Sequence, residues 1–158
     1  VGGGRLVGEG CHFVDLATHL AGAAPVAVSA LGIAGADPDA PLGDNVAVTL
    51  RFADGSLASI VYTSKGNPRS GKERIEVYAG GVSAVIDDFR RAEVRGRRRE
   101  RWRGGQDKGH RAELAAFLEA VRAGGPAPIP LAELAAVSRA TLRAARALAT
   151  GGVEAVDA

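Results

Sequence analysis

A glycine-rich segment near the start of the chain leads into a predicted helix that presents a histidine, and these residues could carry acid–base chemistry. Residues 2–16 read GGGRLVGEGCHFVDL. Glycines let the backbone approach a ligand closely, and a helix N-terminus adds unpaired N–H groups and a positive dipole end. His12 and Asp15 are three residues apart, so they share one helix face. The His12 imidazole is therefore a candidate acid, base or substrate hydrogen-bonding group.

Simpler interpretations exist for the polar residues of this segment. His12 at a helix start is also satisfied by local backbone groups in many proteins, and Asp15 is expected to orient His12 or hold backbone more than to touch substrate. His12, Asp15 and His19 share one stripe, but a metal site needs three or four converging ligands, so no metal is predicted. Cys11 is expected to be a small buried residue.

Composition describes an ordinary globular protein. Of the 158 residues, 46% are hydrophobic and 24% are charged, and the net charge is +2, which gives weak support for nucleic-acid binding. The single cysteine, Cys11, excludes an internal disulfide and a cysteine-rich zinc site. No apolar run reaches the ~20 residues of a membrane helix, and no basic–apolar leader opens the chain. We therefore expect a soluble, cytoplasmic protein.

Methionine is absent and the chain begins at Val1, so we expect a fragment that lacks something N-terminal. The glycine-rich segment could be mistaken for a nucleotide-binding loop. That fingerprint follows a strand inside a βαβ unit, and no strand precedes this segment in the chain. We interpret the segment instead as a flexible wall of a substrate cleft.

Hydrophobic periodicity predicts which elements position these residues. A helix is predicted from Glu9 to Leu20, and a loop from Gly35 to Asp44. Alternation and β-branched runs predict strands at Val26–Ile33, Val46–Phe52, Ser56–Thr63, Arg74–Tyr78, Val82–Ile86 and Ala92–Val94. Asp54-Gly55 and Gly80-Gly81 predict two-residue hairpins, whose turn positions both need positive φ. Helical stripes then run over 114–121 and 134–148.

This order of elements predicts a single α+β domain over residues 1–158. It would comprise an N-terminal helix, a mostly antiparallel, open-faced sheet of about five or six strands, and two C-terminal helices packed with it. No alternating βαβ series is present, so a Rossmann domain is not in this chain.

The segment 97–103, RRRERWR, is the strongest charge cluster of the sequence. Arginines with an aromatic residue can bind nucleic acid or an anionic sugar nucleotide. One short cluster on a near-neutral chain is more often a solvated loop or an edge strand protected against aggregation, and we predict that.

Two groups of residues resemble the C-terminal domain of the Gfo/Idh/MocA oxidoreductase family, and the similarity spans nearly the whole chain. The first group is Gly2-Gly3-Gly4-x-Leu6 followed by Gly10-x-His12-x-x-Asp15-Leu16, within a GEGCHF motif that is similar to one branch of the family. The second is Lys108-Gly109-His110, Glu113-Leu114-x-x-Phe117 and Gly125-Pro126-x-Pro128-Ile129-Pro130.

The resemblance implies a substrate-binding and oligomerising domain. Its N-terminal Rossmann partner would bind NAD or NADP and supply a catalytic lysine, so no cofactor is expected on this chain alone. By the same resemblance, His12 would contact the substrate oxygen at the carbon that gains or loses hydride, and Gly4, Glu9 and Asp15 are assigned to substrate binding. The family's acidic residue four positions before the histidine is replaced here by Gly8; Glu9 is one place off, which turns its side chain by ~100°.

The resemblance implies that the chain is part of an NAD(P)-dependent oxidoreductase that acts on a small sugar-like or polyol substrate, such as a sugar or sugar nucleotide. The isolated fragment is expected to be inactive, to form a homo-oligomer through its sheet face, and to bind neither nucleic acid nor membrane. The alternative is a non-catalytic oligomerisation module that has lost the acid–base pair.

Overall fold

The computed structural model describes residues 4–33 and 44–156. Gly2, Gly3 and all but the last residue of the predicted loop Gly35–Asp44 lie outside these residues. The chain divides into two compact units, one of Val1–Lys65 with Ile129–Ala158 and one of Gly66–Pro128. That the two units act as the single predicted domain stays a prediction.

Helices and strands follow the predicted order, with additions at both ends. Along the chain they are a π-helical turn (Leu6–Gly10), α1 (Cys11–Ala21), β1 (Pro25–Gly32), β2 (Val46–Phe52), β3 (Leu57–Tyr62), β4 (Arg74–Ala79), β5 (Val82–Asp87), β6 (Arg91–Arg95), β7 (Arg99–Arg103), α2 (His110–Ala123), α3 (Leu131–Thr150) and β8 (Val153–Ala155). α1 and α3 end at glycines with left-handed φ, Gly22 and Gly151, a conformation that favours glycine at a helix C-terminus.

The first unit is built on an antiparallel sheet in the order β3-β2-β1-β8, with α3 packed against β1. β2 alternates as predicted, and its inward residues Val46, Val48, Leu50 and Phe52 are all buried. α3 meets this core largely through alanines, because a helix with small side chains can lie close to a sheet. β8 was not predicted, since three residues are too few for a periodicity signal.

The connection between β2 and β3 corrects the predicted two-residue hairpin. Phe52 N–H donates to the Ser56 carbonyl at 2.9 Å, which leaves a three-residue loop, and only Gly55 in it has positive φ (89°). Asp54 instead accepts hydrogen bonds from the Ser56 N–H (3.0 Å) and hydroxyl (2.7 Å). The hydrogen bonds from Ser56 to the Asp54 carboxylate stabilise the turn. The backbone of Asp54 therefore does not need the positive φ that a two-residue hairpin would require.

The second unit contains an antiparallel sheet in the order β4-β5-β6-β7. Its Gly80-Gly81 turn has both φ values positive (56° and 78°) and joins Ala79 to its partner Val82, which confirms the predicted two-residue hairpin. The arginine-rich segment 97–103 contains β7, which is an edge strand of this sheet. The sequence predicted either a solvated loop or an edge strand here, and the edge strand is the one observed. None of the residues of α2 is buried.

The α+β class and the antiparallel pairing are confirmed. The described residues hold eight strands in two four-stranded sheets, where the sequence predicted one sheet of about five or six. The difference arises because β8 is very short and because β7 is almost entirely charged, which hides its strand character. No helix in the described part of the chain is both long enough and apolar enough to cross a membrane.

We expect Leu50→Ala to destabilise the first unit strongly and Leu57→Ala to leave it nearly unchanged. Leu50 is fully buried, so truncation removes apolar contacts and leaves a cavity, at a cost of about 2–5 kcal/mol in the free energy of unfolding. Leu57, a leucine of the adjacent strand, is 67% exposed, and its truncation should cost less than about 0.5 kcal/mol. Urea denaturation of the two variants measures both values; equal losses would contradict this packing.

Candidate functional site

The glycine-rich segment becomes a π-helical turn that runs directly into α1. π-helical turns are rare, and many occur at functional sites. Packing favours glycine at residue 10, because a Cβ there would lie 3.0 Å from Leu6 Cδ1 in the core, a tighter contact than usual. At Gly8 a Cβ would meet nothing within 4 Å, so packing does not explain the glycine that replaces the expected acid.

His12 lies on the first turn of α1 with its side chain exposed. Within the described ranges, no residue hydrogen-bonds to or pairs with its imidazole. Asp15 is half-buried on the next turn, and no hydrogen bond joins it to His12, so its orienting role stays a prediction. Cys11 beside them is half-buried, less enclosed than its sequence suggested.

Glu9, the acid one place off the expected position, is engaged by a residue that the sequence did not single out. The Tyr62 hydroxyl donates a hydrogen bond to Glu9 Oε2. Tyr62 ends β3, on the same face as Ala58 and Ile60, and its ring lies 6.0 Å from the Phe13 ring of α1. A half-buried tyrosine needs a partner for its hydroxyl, and Glu9 provides it.

This contact strengthens the preference of Tyr62 for its protonated form. The hydrogen bond to the Glu9 carboxylate raises the pKa of Tyr62 above its ordinary value of 10.0, and burial and the negative charge of Glu9 act in the same direction. The nearby Arg5 guanidinium lowers the same pKa, more weakly. At neutral pH the phenol is therefore a hydrogen-bond donor and not a phenolate.

Backbone and side-chain hydrogen bonds fix the surroundings of this pair. Gly4 has φ of 70°, a left-handed conformation that favours glycine, and this accounts for its residue type; its contact with substrate stays a prediction. The Arg5 N–H donates to Asp44 Oδ1 at 3.2 Å. Asn45 Oδ1 accepts from the Thr63 hydroxyl and the Ser64 N–H, both at 2.9 Å, directly after β3.

Neither a metal nor a dinucleotide finds a built site in the described ranges. No group of three or more His, Cys, Asp or Glu side chains converges there. Dinucleotide folds place the phosphates at a helix that follows a strand of a parallel sheet, whereas every strand pair described here is antiparallel. The described residues therefore lack the strand–helix arrangement of dinucleotide folds, and the binding of NAD(P) outside this chain stays a prediction.

Two of the five arginines in the segment 97–103, Arg99 and Arg101, bond to a glutamate of their own sheet. Glu93 of β6 accepts hydrogen bonds from Arg95, from Arg99 at 2.9 Å and from Arg101 at 3.1 Å. These contacts, led by Arg99, lower the pKa of Glu93 to about 2. Three guanidinium groups on one carboxylate support the edge-strand interpretation. The absence of a nucleic-acid partner stays a prediction.

Comparison with known proteins identifies this architecture. Residues 1–85, more than half of the chain, match the family described as the GFO/IDH/MocA C-terminal domain. No curated protein matches the chain.

Solved structures share the fold along nearly all of its length. UDP-N-acetylglucosamine 3-dehydrogenase GnnA from Acidithiobacillus ferrooxidans is 24% identical, with a TM-score of 0.71 over 89% of this chain and 45% of GnnA. An oxidoreductase from Agrobacterium radiobacter, solved with NAD+, L-tartaric acid and magnesium, is 14% identical, with a TM-score of 0.78 over 94% and 48% of the two chains. An oxidoreductase domain protein from Kribbella flavida is 17% identical, with a TM-score of 0.74 over 95% and 50%. The chain thus spans about half the length of these proteins.

Replacement of Glu9 should release Tyr62. In a Glu9→Gln variant we expect the pKa of Tyr62 to fall towards 10.0, because the carboxylate that favours the protonated phenol is gone. Tyr78 is a matched internal control, since its hydroxyl donates to Glu76 and its pKa is also raised. In a Tyr78→Phe background, ultraviolet titration reports the pKa of Tyr62 alone. With Tyr78 retained, NMR follows the titration of both tyrosine rings. An unchanged Tyr62 midpoint would contradict the contact with Glu9.

Glu93 should titrate near pH 2 because of its arginine partners. Its folded-state pKa lies below the ordinary 4.5, so its stabilising contribution is complete above about pH 4.5 and is lost as the pH falls towards 2. Arg99→Gln removes the largest cause and should raise the midpoint, measured by carboxyl NMR. Arg103→Gln, on the same strand but without a bond to Glu93, should leave it unchanged. The same midpoint in both variants would argue against the cluster.

Proposed function

We propose, because this chain belongs to the GFO/IDH/MocA C-terminal domain family, that it forms the substrate-side half of an NAD(P)-dependent oxidoreductase. The cofactor would be held mainly by residues outside this chain and would exchange a hydride with the substrate carbon. This division is supported by the antiparallel sheets described here and by the share of its relatives that the chain spans.

His12 is the proposed catalytic residue. When a substrate C–OH is oxidised, the hydride leaves the carbon and the hydroxyl proton passes to the imidazole; reduction of the carbonyl reverses both transfers. The observation that carries this role is the exposed imidazole at the start of α1, inside the matched segment and unengaged by the described residues. Glu9, Gly4 and Asp15 would bind the substrate around it.

The proposed substrate is a sugar-like molecule or polyol, with sugar nucleotides as the first class to test. One relative is named for the oxidation of UDP-N-acetylglucosamine at its 3-position, and another was solved with L-tartaric acid, which carries two adjacent hydroxyl groups. The carboxylate and phenol of Glu9 and Tyr62 supply the kinds of hydrogen-bonding group that recognise hydroxyls.

A second candidate function is that of a non-catalytic oligomerisation module. One face of the second unit's sheet is largely apolar apart from Glu100, and some of its largest side chains are substantially exposed, Val82 at 40%, Val94 at 39% and Trp102 at 50%. A homo-oligomer would cover such a face. An assembly through this face is also compatible with an active enzyme, so catalysis separates the two functions.

We expect His12→Ala to lower kcat/KM at least tenfold, within the ~10²–10⁴ that general acid–base groups contribute. The assay follows NAD(P)H formation by the full-length oxidoreductase, with UDP-N-acetylglucosamine tested first. His19→Ala is the matched control, an exposed histidine on the same helix, and should leave kcat/KM unchanged. Equal activity of the two variants would remove His12 from the mechanism and favour the module.

A further inference from the structure

We infer that Tyr62 is a positioning residue, which fixes the Glu9 carboxylate so that its second oxygen accepts a hydrogen bond from a substrate hydroxyl. The inference rests on the proposed function, because it names a binding contact of the same site. It adds a residue 53 positions along the chain from Glu9.

The contact joins a firmly held residue to an exposed one. Tyr62 belongs to β3, in register with Val46 of β2, and its ring packs against the core and near Phe13. Glu9 is exposed on the π-helical turn. Its Oε2 is occupied by the Tyr62 hydroxyl, while no donor from the described ranges reaches Oε1. The free oxygen therefore has a fixed place at the surface.

Fixing this side chain matters because a glutamate is otherwise flexible. Ordering a free glutamate costs side-chain entropy, which a ligand would have to offset. In this protein the hydrogen bond from Tyr62 orders the carboxylate before any ligand arrives. Preorganisation of this kind strengthens binding without adding a contact.

The same geometry explains how the chain manages without an acid at residue 8. Glu9 comes one residue later, so the helix alone does not direct it to the position of the expected acid. A neighbouring strand must then hold the carboxylate, and Tyr62 is the residue that does so. The open space around Gly8 is not filled by another described side chain.

The chemistry defines which ligand group Glu9 accepts. A carboxylate oxygen accepts hydrogen bonds and repels another anion, so the group facing Oε1 is a hydrogen-bond donor, here proposed to be a hydroxyl, and not a phosphate or a carboxylate. A sugar ring or a polyol meets this requirement through a hydroxyl near the carbon that reacts. Any phosphate of a sugar nucleotide would have to lie elsewhere.

A double-mutant cycle tests the inference with matched substitutions. Tyr62→Phe keeps the ring and removes only the hydroxyl, Glu9→Gln removes the charge, and a third variant combines them. Tyr78→Phe is the control, because its hydroxyl donates to Glu76 at 2.7 Å in the second unit. We expect Tyr62→Phe to raise the KM for UDP-N-acetylglucosamine about tenfold with kcat little changed, because the ligand must then order the Glu9 side chain itself.

The decisive result is the combined variant. If Tyr62 acts through Glu9, the double variant should bind no more weakly than Glu9→Gln alone, whereas two additive losses would overturn the inference. The same cycle is measured on Kd by NMR titration of UDP-N-acetylglucosamine in the full-length protein, which needs no turnover. A wild-type protein that shows no shift at Glu9 or Tyr62 at millimolar ligand would also overturn it.

These outcomes separate the inference from the proposed function. If Tyr62 and Glu9 are coupled but His12→Ala keeps its activity, the binding contact stands and the catalytic role of His12 is removed. Loss of activity in His12→Ala with additive effects of Tyr62→Phe and Glu9→Gln would do the reverse. Tyr78→Phe should match the wild type in every case.

Discussion

The site depends on a single constraint, the burial of Leu6 and Val14 in the hydrophobic core of the first unit. Leu6 lies in the π-helical turn and is 2% exposed, and Val14 lies in α1 and is fully buried. Both belong to the cluster that contains the inward residues of β2 and the alanines of α3. These two buried residues flank Glu9 and His12 in sequence. Hydrophobic packing, and not a polar network, therefore determines where the backbone of Glu9 and His12 lies.

The sheet contributes to the site through the period of two in β3. Ala58 and Ile60 face the core, and the same alternation brings Tyr62 to that face at the end of the strand. There the core gives way to exposed residues, so the ring packs while the hydroxyl reaches Glu9. A shift of one residue in strand register would turn Tyr62 to the other face and leave Glu9 without its partner.

Local sequence patterns predicted part of this arrangement correctly. The helix behind His12, the alternation of β2 and the Gly80-Gly81 turn each follow from residues close together in the chain. The contact between Glu9 and Tyr62 could not be predicted, because it depends on strand register and on a π-helical turn. The predicted two-residue hairpin at Asp54-Gly55 was wrong for a related reason, because hydrogen bonds to the Asp54 carboxylate changed the turn type.

Two carboxylates of the chain show how environment separates a structural role from a binding role. Glu93 accepts hydrogen bonds from three arginines, so its charge is compensated and its acceptor capacity is used within the sheet. Glu9 receives one neutral donor, and no described cation forms an ion pair with it. Its charge and its second oxygen remain available at the surface, beside a helix that presents His12. Of the two, only Glu9 can exchange water for a ligand hydroxyl without first breaking an ion pair, and this difference favours the helix start of the first unit as the binding site.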